Sequence, residues 1–156
     1  MPITKGQPAP HFSLFSSDKQ EIDLASLKGE NILLLFFPLA FTSVCTTELC
    51  SVRDDISFYN NLNAKVFGIS VDSVHSLAKY REEQQLNFPL LSDFNKEVST
   101  SYDCIYEKFG FGMRGVSKRA AFIIDRDGIV QYAEVLENAG LVPDFNMIRE
   151  TLASLP

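Results

Sequence analysis

Residues 31–37 read NILLLFF and are followed at once by Pro38. Six of these seven positions are apolar, so the stretch offers no face to water. A half-exposed strand would alternate polar and apolar residues, and an amphipathic helix would show a polar stripe. The run has strand length, and it fits a strand buried on both faces at the centre of a sheet. Pro38 lacks the N–H that a further ladder bond needs, so it ends the strand. The rest of the chain must therefore supply a layer for each face. Its 156 residues suffice for one domain, which at this size buries roughly 70% of its unfolded surface.

The remaining pattern supplies those layers. A short strand is predicted over 11–15, and Asp23 caps a short helical turn ending at Gly29. Leu49, Val52, Ile56 and Tyr59 recur at spacings of three and four, which predicts a helix over 43–60. The AKVFGISV run predicts a strand over 64–71. Strand, helix and strand then form a unit with a right-handed parallel crossover. A helix over 73–85, a strand over 88–92 and a short helix over 95–102 follow. Three glycines mark 108–118 as a mobile loop. The 119–125 and 129–135 runs flank Arg126-Asp127-Gly128, a hairpin signal. Phe145, Ile148 and Leu152 predict a closing helix after Pro143. A parallel unit followed by a hairpin implies an α/β fold with a central mixed β-sheet and helices on both faces. No repeat or low-complexity linker divides the chain, so 1–156 reads as a single domain.

Composition excludes several function classes. Apolar residues at 46% against a net charge of −6 exclude general disorder. The same acidic balance argues against nucleic acid and anionic membrane surfaces as partners. The longest apolar run, about ten residues with Pro38 inside it, is well short of the roughly 20 that span a bilayer. The N-terminus lacks a signal-peptide core, and the C-terminus matches no lipidation or retention signal. Three cysteines are too few, and odd in number, for a secreted disulfide scaffold. Together these features point to a cytoplasmic, reducing setting. His11 and His75 lack metal-ligand spacing with the cysteines, so no metal is expected. Phosphate-loop, Gly-x-Gly-x-x-Gly, Gly-x-Ser-x-Gly and Cys-x-x-Cys motifs are missing, so no cofactor is implied.

The chemistry concentrates after the apolar run, in FFPLAFTSVC over 36–45. Sites in α/β sheets gather at the carboxyl ends of strands. Thr42 or Ser43 can cap the following helix, which places Cys45 in its first turn. Free backbone N–H groups and the helix dipole favour an anion there, and a thiolate is a nucleophile. The alternative is a packed helix cysteine acting as a small apolar residue. Position alone does not decide between the two.

Pro38, Thr42 and Cys45 match a Pro-x-x-x-Thr-x-x-Cys signature, with NILLLFF before it, FPLLSD from Phe88, and Arg119 ahead of an FIID strand. In these features the chain resembles the peroxiredoxins over nearly its whole length from Pro8. FFPLAFT is similar to the alkyl hydroperoxide reductase E type, a group with one essential cysteine. The Cys45-x-x-x-x-Cys50 spacing is instead similar to the Q-type (bacterioferritin comigratory) group, which has a second cysteine there. The resemblance implies a thioredoxin-like fold and a thiol-dependent peroxidase. Such an enzyme reduces hydrogen peroxide and organic hydroperoxides without metal or organic cofactor. Cys45 would be the peroxidatic cysteine, oxidised to a sulfenic acid. Thr42 would accept a hydrogen bond from the peroxide, and Arg119 would support the thiolate and the leaving oxygen. Pro38 would shield the sulfur, and Glu48 would orient the charged cluster. Arg114 and Arg53 compete with Arg119 for its place. The resemblance further implies reduction by a thioredoxin, a glutaredoxin or a small thiol. It also implies a homodimer, for which Phe41, Phe109 and Phe111 offer apolar loop tips. A peroxide sensor or thiol–disulfide relay of the same fold is the alternative, and a non-catalytic binding module is a third reading.

Cys50 is the candidate resolving thiol. In an intact helix, residues five apart differ by about 140° and about 7.5 Å of rise. A disulfide needs Cα atoms within about 6.8 Å. A Cys45–Cys50 bond therefore requires the first turns of the helix to unwind. The alternatives are that Cys50 is a helix-core residue and that the resolver lies elsewhere. Cys104 is either that resolver or a packing residue.

Overall fold

The computed structural model describes residues 2–156. β1 (Ser13–Phe15) and β2 (Glu21–Asp23) pair as a small antiparallel hairpin. Asp23 then caps a 3-10 turn over Leu24–Leu27, its carboxylate accepting from the Ala25 N–H at 2.8 Å. β2 is three residues long and carries too little pattern to announce itself in the sequence.

The apolar run becomes β3 (Asn31–Phe36), every residue of which is buried. β4 (Ala64–Ser70) and β5 (Leu90–Ser92) lie parallel to it on one side; on the other, β6 (Arg119–Ile124) is antiparallel to β3, and β7 (Val130–Leu136) is antiparallel to β6. The order β5-β4-β3-β6-β7 puts β3 at the centre of a mixed five-stranded sheet.

Alternation along β3 feeds two cores. Leu33, Leu35 and Phe37 face a layer made by α1 (Ser43–Asp54), α2 (Ile56–Asn61), α3 (Val74–Gln84) and α5 (Phe145–Ser154). Ile32, Leu34 and Phe36 face the other layer, with Val98 of α4 (Glu97–Ser101), Leu24, Phe12 and Tyr102. Complete burial of each such side chain contributes about 1.5–3 kcal/mol, so the central strand alone anchors both layers.

The predicted helix over 43–60 is divided. Asp55 leaves helical geometry at φ −116° and ψ 18°, and its N–H turns to the Val52 carbonyl at 3.0 Å. Arg149 of α5 holds the Asp55 carboxylate at 3.2 Å, so a tertiary ion pair sits where the helix bends. The glycine-rich loop is pinned from both sides. The Tyr106 N–H donates to Val116 O, Gly115 N–H to Tyr106 O, and Lys118 N–H to Cys104 O.

The register of β6 decides where its first residue stands. Phe36 pairs with Ala120, so Arg119 lies beside the carboxyl end of β3. Ala121 and Ile123 share its face of the sheet, and both belong to the core under α1. Arg119 therefore points beneath the helix that comes after Pro38.

Candidate active site

The loop between β3 and α1 is shaped by three local features. Pro38 stops the ladder. The Ala40 N–H donates to Asp72 Oδ2 at 2.8 Å, tying the loop to the end of β4. Phe41 takes φ +66°, a left-handed conformation uncommon for a bulky residue, and this turns the chain into α1. Thr42 occupies the N-cap position, but its side chain does not cap. Its hydroxyl donates instead to the Leu39 carbonyl at 2.8 Å, which leaves the oxygen free to accept a further hydrogen bond.

Cys45 lies in the first turn of α1, only 1% exposed. Arg119, equally buried, forks between α1 and the loop before α5. Its Nη1 donates to Glu48 Oε1 at 2.7 Å. Its Nη2 donates to Cys45 Sγ at 3.3 Å and to the Ala139 carbonyl at 3.0 Å. Cys45 and Glu48 are three apart on one helix, so they share a face and meet one guanidinium. Lysine has no planar fork with which to do this.

The charges are coupled. Burial pushes Glu48 up to about 7, against the pull of Arg119, and Glu134 adds to the rise. Burial works against the Arg119 charge, but Glu48 and Cys45 outweigh it and hold the guanidinium above its ordinary value. Glu48 Oε2 and Arg119 Nε are buried without a partner. Oε2 is therefore the oxygen that can carry a proton while Oε1 keeps Arg119.

A pocket of about 270 Å³ opens beside Cys45, with Pro38, Thr42, Val44, Phe109, Arg119 and Gly140 in its wall. A larger cavity of about 420 Å³ lies at the opposite end of the sheet, among Leu24, Ile32 and Ile124, but no thiol faces it. Among the described residues, no group of three His, Cys, Asp or Glu side chains is placed to hold a metal ion.

Arg119 thus stands apart from its two competitors. Arg53 donates to the Gln84 carbonyl at 2.6 Å and to Asp54 at 2.9 Å, away from the pocket, and Arg114 is exposed. Cys50 sits within α1, half-buried, its Sγ 3.8 Å from Gln84 Oε1. Cys104 is fully buried beside the core of β6, and burial pushes its thiol far up. All three cysteines are free. Two participants escape sequence reasoning. The Ala139 acceptor is a backbone carbonyl and has no side-chain signature. Asp72 reaches Ala40 only because β4 ends beside β3.

A cysteine held by a buried arginine, at the first turn of a helix on a thioredoxin-like sheet, defines the class of thiol-dependent peroxidases. The chain belongs to the AhpC/TSA family, the peroxiredoxins, and matches the family model over residues 5–133. Alkyl hydroperoxide reductase E of Mycobacterium tuberculosis is 35% identical over 156 residues, covering 98% of each chain. The crystal structure of peroxidoxin BcpB from the same organism superposes with a TM-score of 0.87 at 27% identity, covering 99% of each chain. A Xanthomonas campestris bacterioferritin comigratory protein superposes with a TM-score of 0.80 at 26% identity, over 92% of this chain and 90% of that one. The protein is a thiol-dependent peroxidase, of a family that acts on peroxides with thioredoxin-type reductants.

Proposed function

We propose that Cys45 is the peroxidatic thiol, that Arg119, Thr42, Pro38 and Glu48 serve it, and that Cys50 resolves it. The observation that carries this reading is the Arg119 fork, which joins Cys45 Sγ to Glu48 inside a pocket. The Cys45 thiolate attacks the terminal oxygen of a hydroperoxide. The O–O bond breaks, the sulfur keeps the OH as a sulfenic acid, and the departing alkoxide or hydroxide takes a proton to leave as alcohol or water. Arg119 supplies fixed positive charge to both the sulfur and the leaving oxygen, at no reorganisation cost. The Thr42 oxygen accepts the hydroperoxide O–H and aligns it, while Pro38 limits water at the sulfur. Glu48 holds the guanidinium in place.

The first turns of α1 then unwind, and the Cys50 thiol attacks the sulfenic sulfur. Water leaves and a Cys45–Cys50 disulfide forms, which a thioredoxin, a glutaredoxin or a small thiol reduces. Hydrogen peroxide and organic hydroperoxides are the substrates in this reading, and 1–156 works as a single cytoplasmic domain. Phe41 and Phe111, both exposed, support a homodimer through these loop tips.

The test is rapid oxidation of the reduced protein with one equivalent of hydrogen peroxide or an organic hydroperoxide, followed by peptide mass spectrometry. A fast second-order reaction and a Cys45–Cys50 peptide are expected. A rate no greater than that of a free thiol would reject the role of Cys45. A stable or over-oxidised Cys45 with free Cys50 would reject the resolving role.

A further inference from the structure

The hydroxyl of Thr46, one residue after Cys45, lies 2.8 Å from the Thr42 carbonyl and 2.8 Å from the hydroxyl of Tyr80. A threonine hydroxyl has one proton, and a carbonyl can only accept. Thr46 therefore donates to Thr42 O, and the Tyr80 O–H donates to Thr46 Oγ1. Burial pushes the Tyr80 phenol up to about 12, so it stays a donor at working pH. The chain of hydrogen bonds runs from α3 through the first turn of α1 to the N-cap carbonyl.

Tyr80 also grips the loop on the other side of Thr42. Its ring centroid lies 4.9 Å from that of Phe41 and 6.3 Å from that of Phe37. Phe41 is the residue at φ +66°, and its ring is half exposed. A bulky side chain in the left-handed region is strained and persists only when its surroundings hold it. Tyr80 is fully buried in the α1-side core, so it is a fixed post. One α3 side chain thus bridges both flanks of the segment that carries Thr42 and Cys45.

We propose that Tyr80 is a positioning residue, a latch that keeps the first turn of α1 wound around Cys45 and sets how readily that turn opens. Its consequence for catalysis rests on the reading of Cys50 as resolver. The latch is closed during attack on the peroxide, when Cys45 must stay beside Arg119. It must release before Cys50 reaches the sulfenic sulfur. A tighter latch prolongs the sulfenic acid and exposes it to a second peroxide; a looser one favours the disulfide.

The experiment compares the wild type with Tyr80→Phe and Thr46→Val. Tyr80→Phe removes only the Tyr80–Thr46 hydrogen bond and keeps the ring against Phe41, whereas Thr46→Val removes that bond and also the one Thr46 donates to the Thr42 carbonyl. Amide hydrogen exchange over 46–49 is read against amides of α5. Loss of one such bond corresponds to about 1 kcal/mol, or about a fivefold change. Exchange over 46–49 is expected to rise about fivefold in Tyr80→Phe, further in Thr46→Val, and no further in the double variant than in Thr46→Val, with α5 unchanged. Cys45–Cys50 disulfide formation after one equivalent of peroxide is expected to quicken by a similar factor in Tyr80→Phe, with first oxidation within about twofold of wild type. Unchanged exchange in both single variants overturns the latch. Faster exchange with an unchanged disulfide rate overturns its control of resolution. Faster exchange with no Cys45–Cys50 disulfide in any of the proteins upholds the latch and removes Cys50 from the mechanism.

Discussion

Replacing Glu48 by Gln removes a titrating proton from the buried triad while keeping the side chain's size and an oxygen for Arg119. Glu48 is 1% exposed, and burial raises it from an ordinary 4.5 to about 7. Below pH 4.5 it is protonated in both the folded and the unfolded chain and contributes nothing to the pH dependence. Between pH 4.5 and 7 the unfolded chain has lost this proton and the folded chain still holds it, so stability falls as pH rises. Above pH 7 both are ionised and the full penalty stands. At about 1.36 kcal/mol per pH unit, the penalty comes to ~3 kcal/mol. Gln has no such penalty, and groups that titrate alike in both proteins cancel in the comparison. Urea unfolding of both proteins at intervals from pH 4.5 to 8 measures it. The stability of Glu48→Gln relative to wild type should rise by about 3 kcal/mol across that range, which moves the urea midpoints by about 1–3 M relative to each other. Two stability curves that stay parallel within about 0.5 kcal/mol would refute the argument. They would mean that Glu48 is ionised throughout and that Arg119 fully compensates its burial.

Arg119→Lys should lower the second-order rate of Cys45 oxidation by about 10²–10³-fold with the fold retained, because a single ammonium nitrogen lacks the planar fork whose two nitrogens reach Glu48 and Cys45 separately. Competition against a reference peroxidase measures this, and a rate within threefold of wild type contradicts it. Cys50→Ser should leave first oxidation intact but abolish thioredoxin-dependent turnover; sustained turnover would assign resolution elsewhere. Gly68→Ala should destabilise the fold by about 1–3 kcal/mol in urea unfolding, because its Cβ would lie 2.6 Å from Leu90 Cδ2 and 3.2 Å from Phe37 Cε1 in a packed core.

Much of the fold was legible because its strongest signals are local. A strand buried on both faces is almost wholly apolar, so β3 is written as NILLLF. Asp23 caps its turn through its own carboxylate, and Asp127-Gly128 marks the turn between β6 and β7. The helix over 43–60 read as one piece because its apolar spacing runs through the bend. The division at Asp55 accompanies an ion pair with Arg149, 94 positions away, which no local pattern encodes. Thr42 likewise looks like a capping residue in sequence, yet its proton goes to Leu39.

By itself the sequence determined the short-range half of the site: a buried strand, a proline that ends it, and a cysteine in the first turn of the next helix. Those features arise from backbone chemistry over about fifteen residues. The tertiary structure decided the long-range half. The pairing of Phe36 with Ala120 sets which end and which face of the sheet Arg119 occupies, and a slip of one residue would turn it to the other layer. The Ala139 carbonyl, the Asp72 tether and the Tyr80 contact likewise exist only once distant segments pack together. Hydrogen bonds and buried charges depend on position in space, which a linear pattern does not carry.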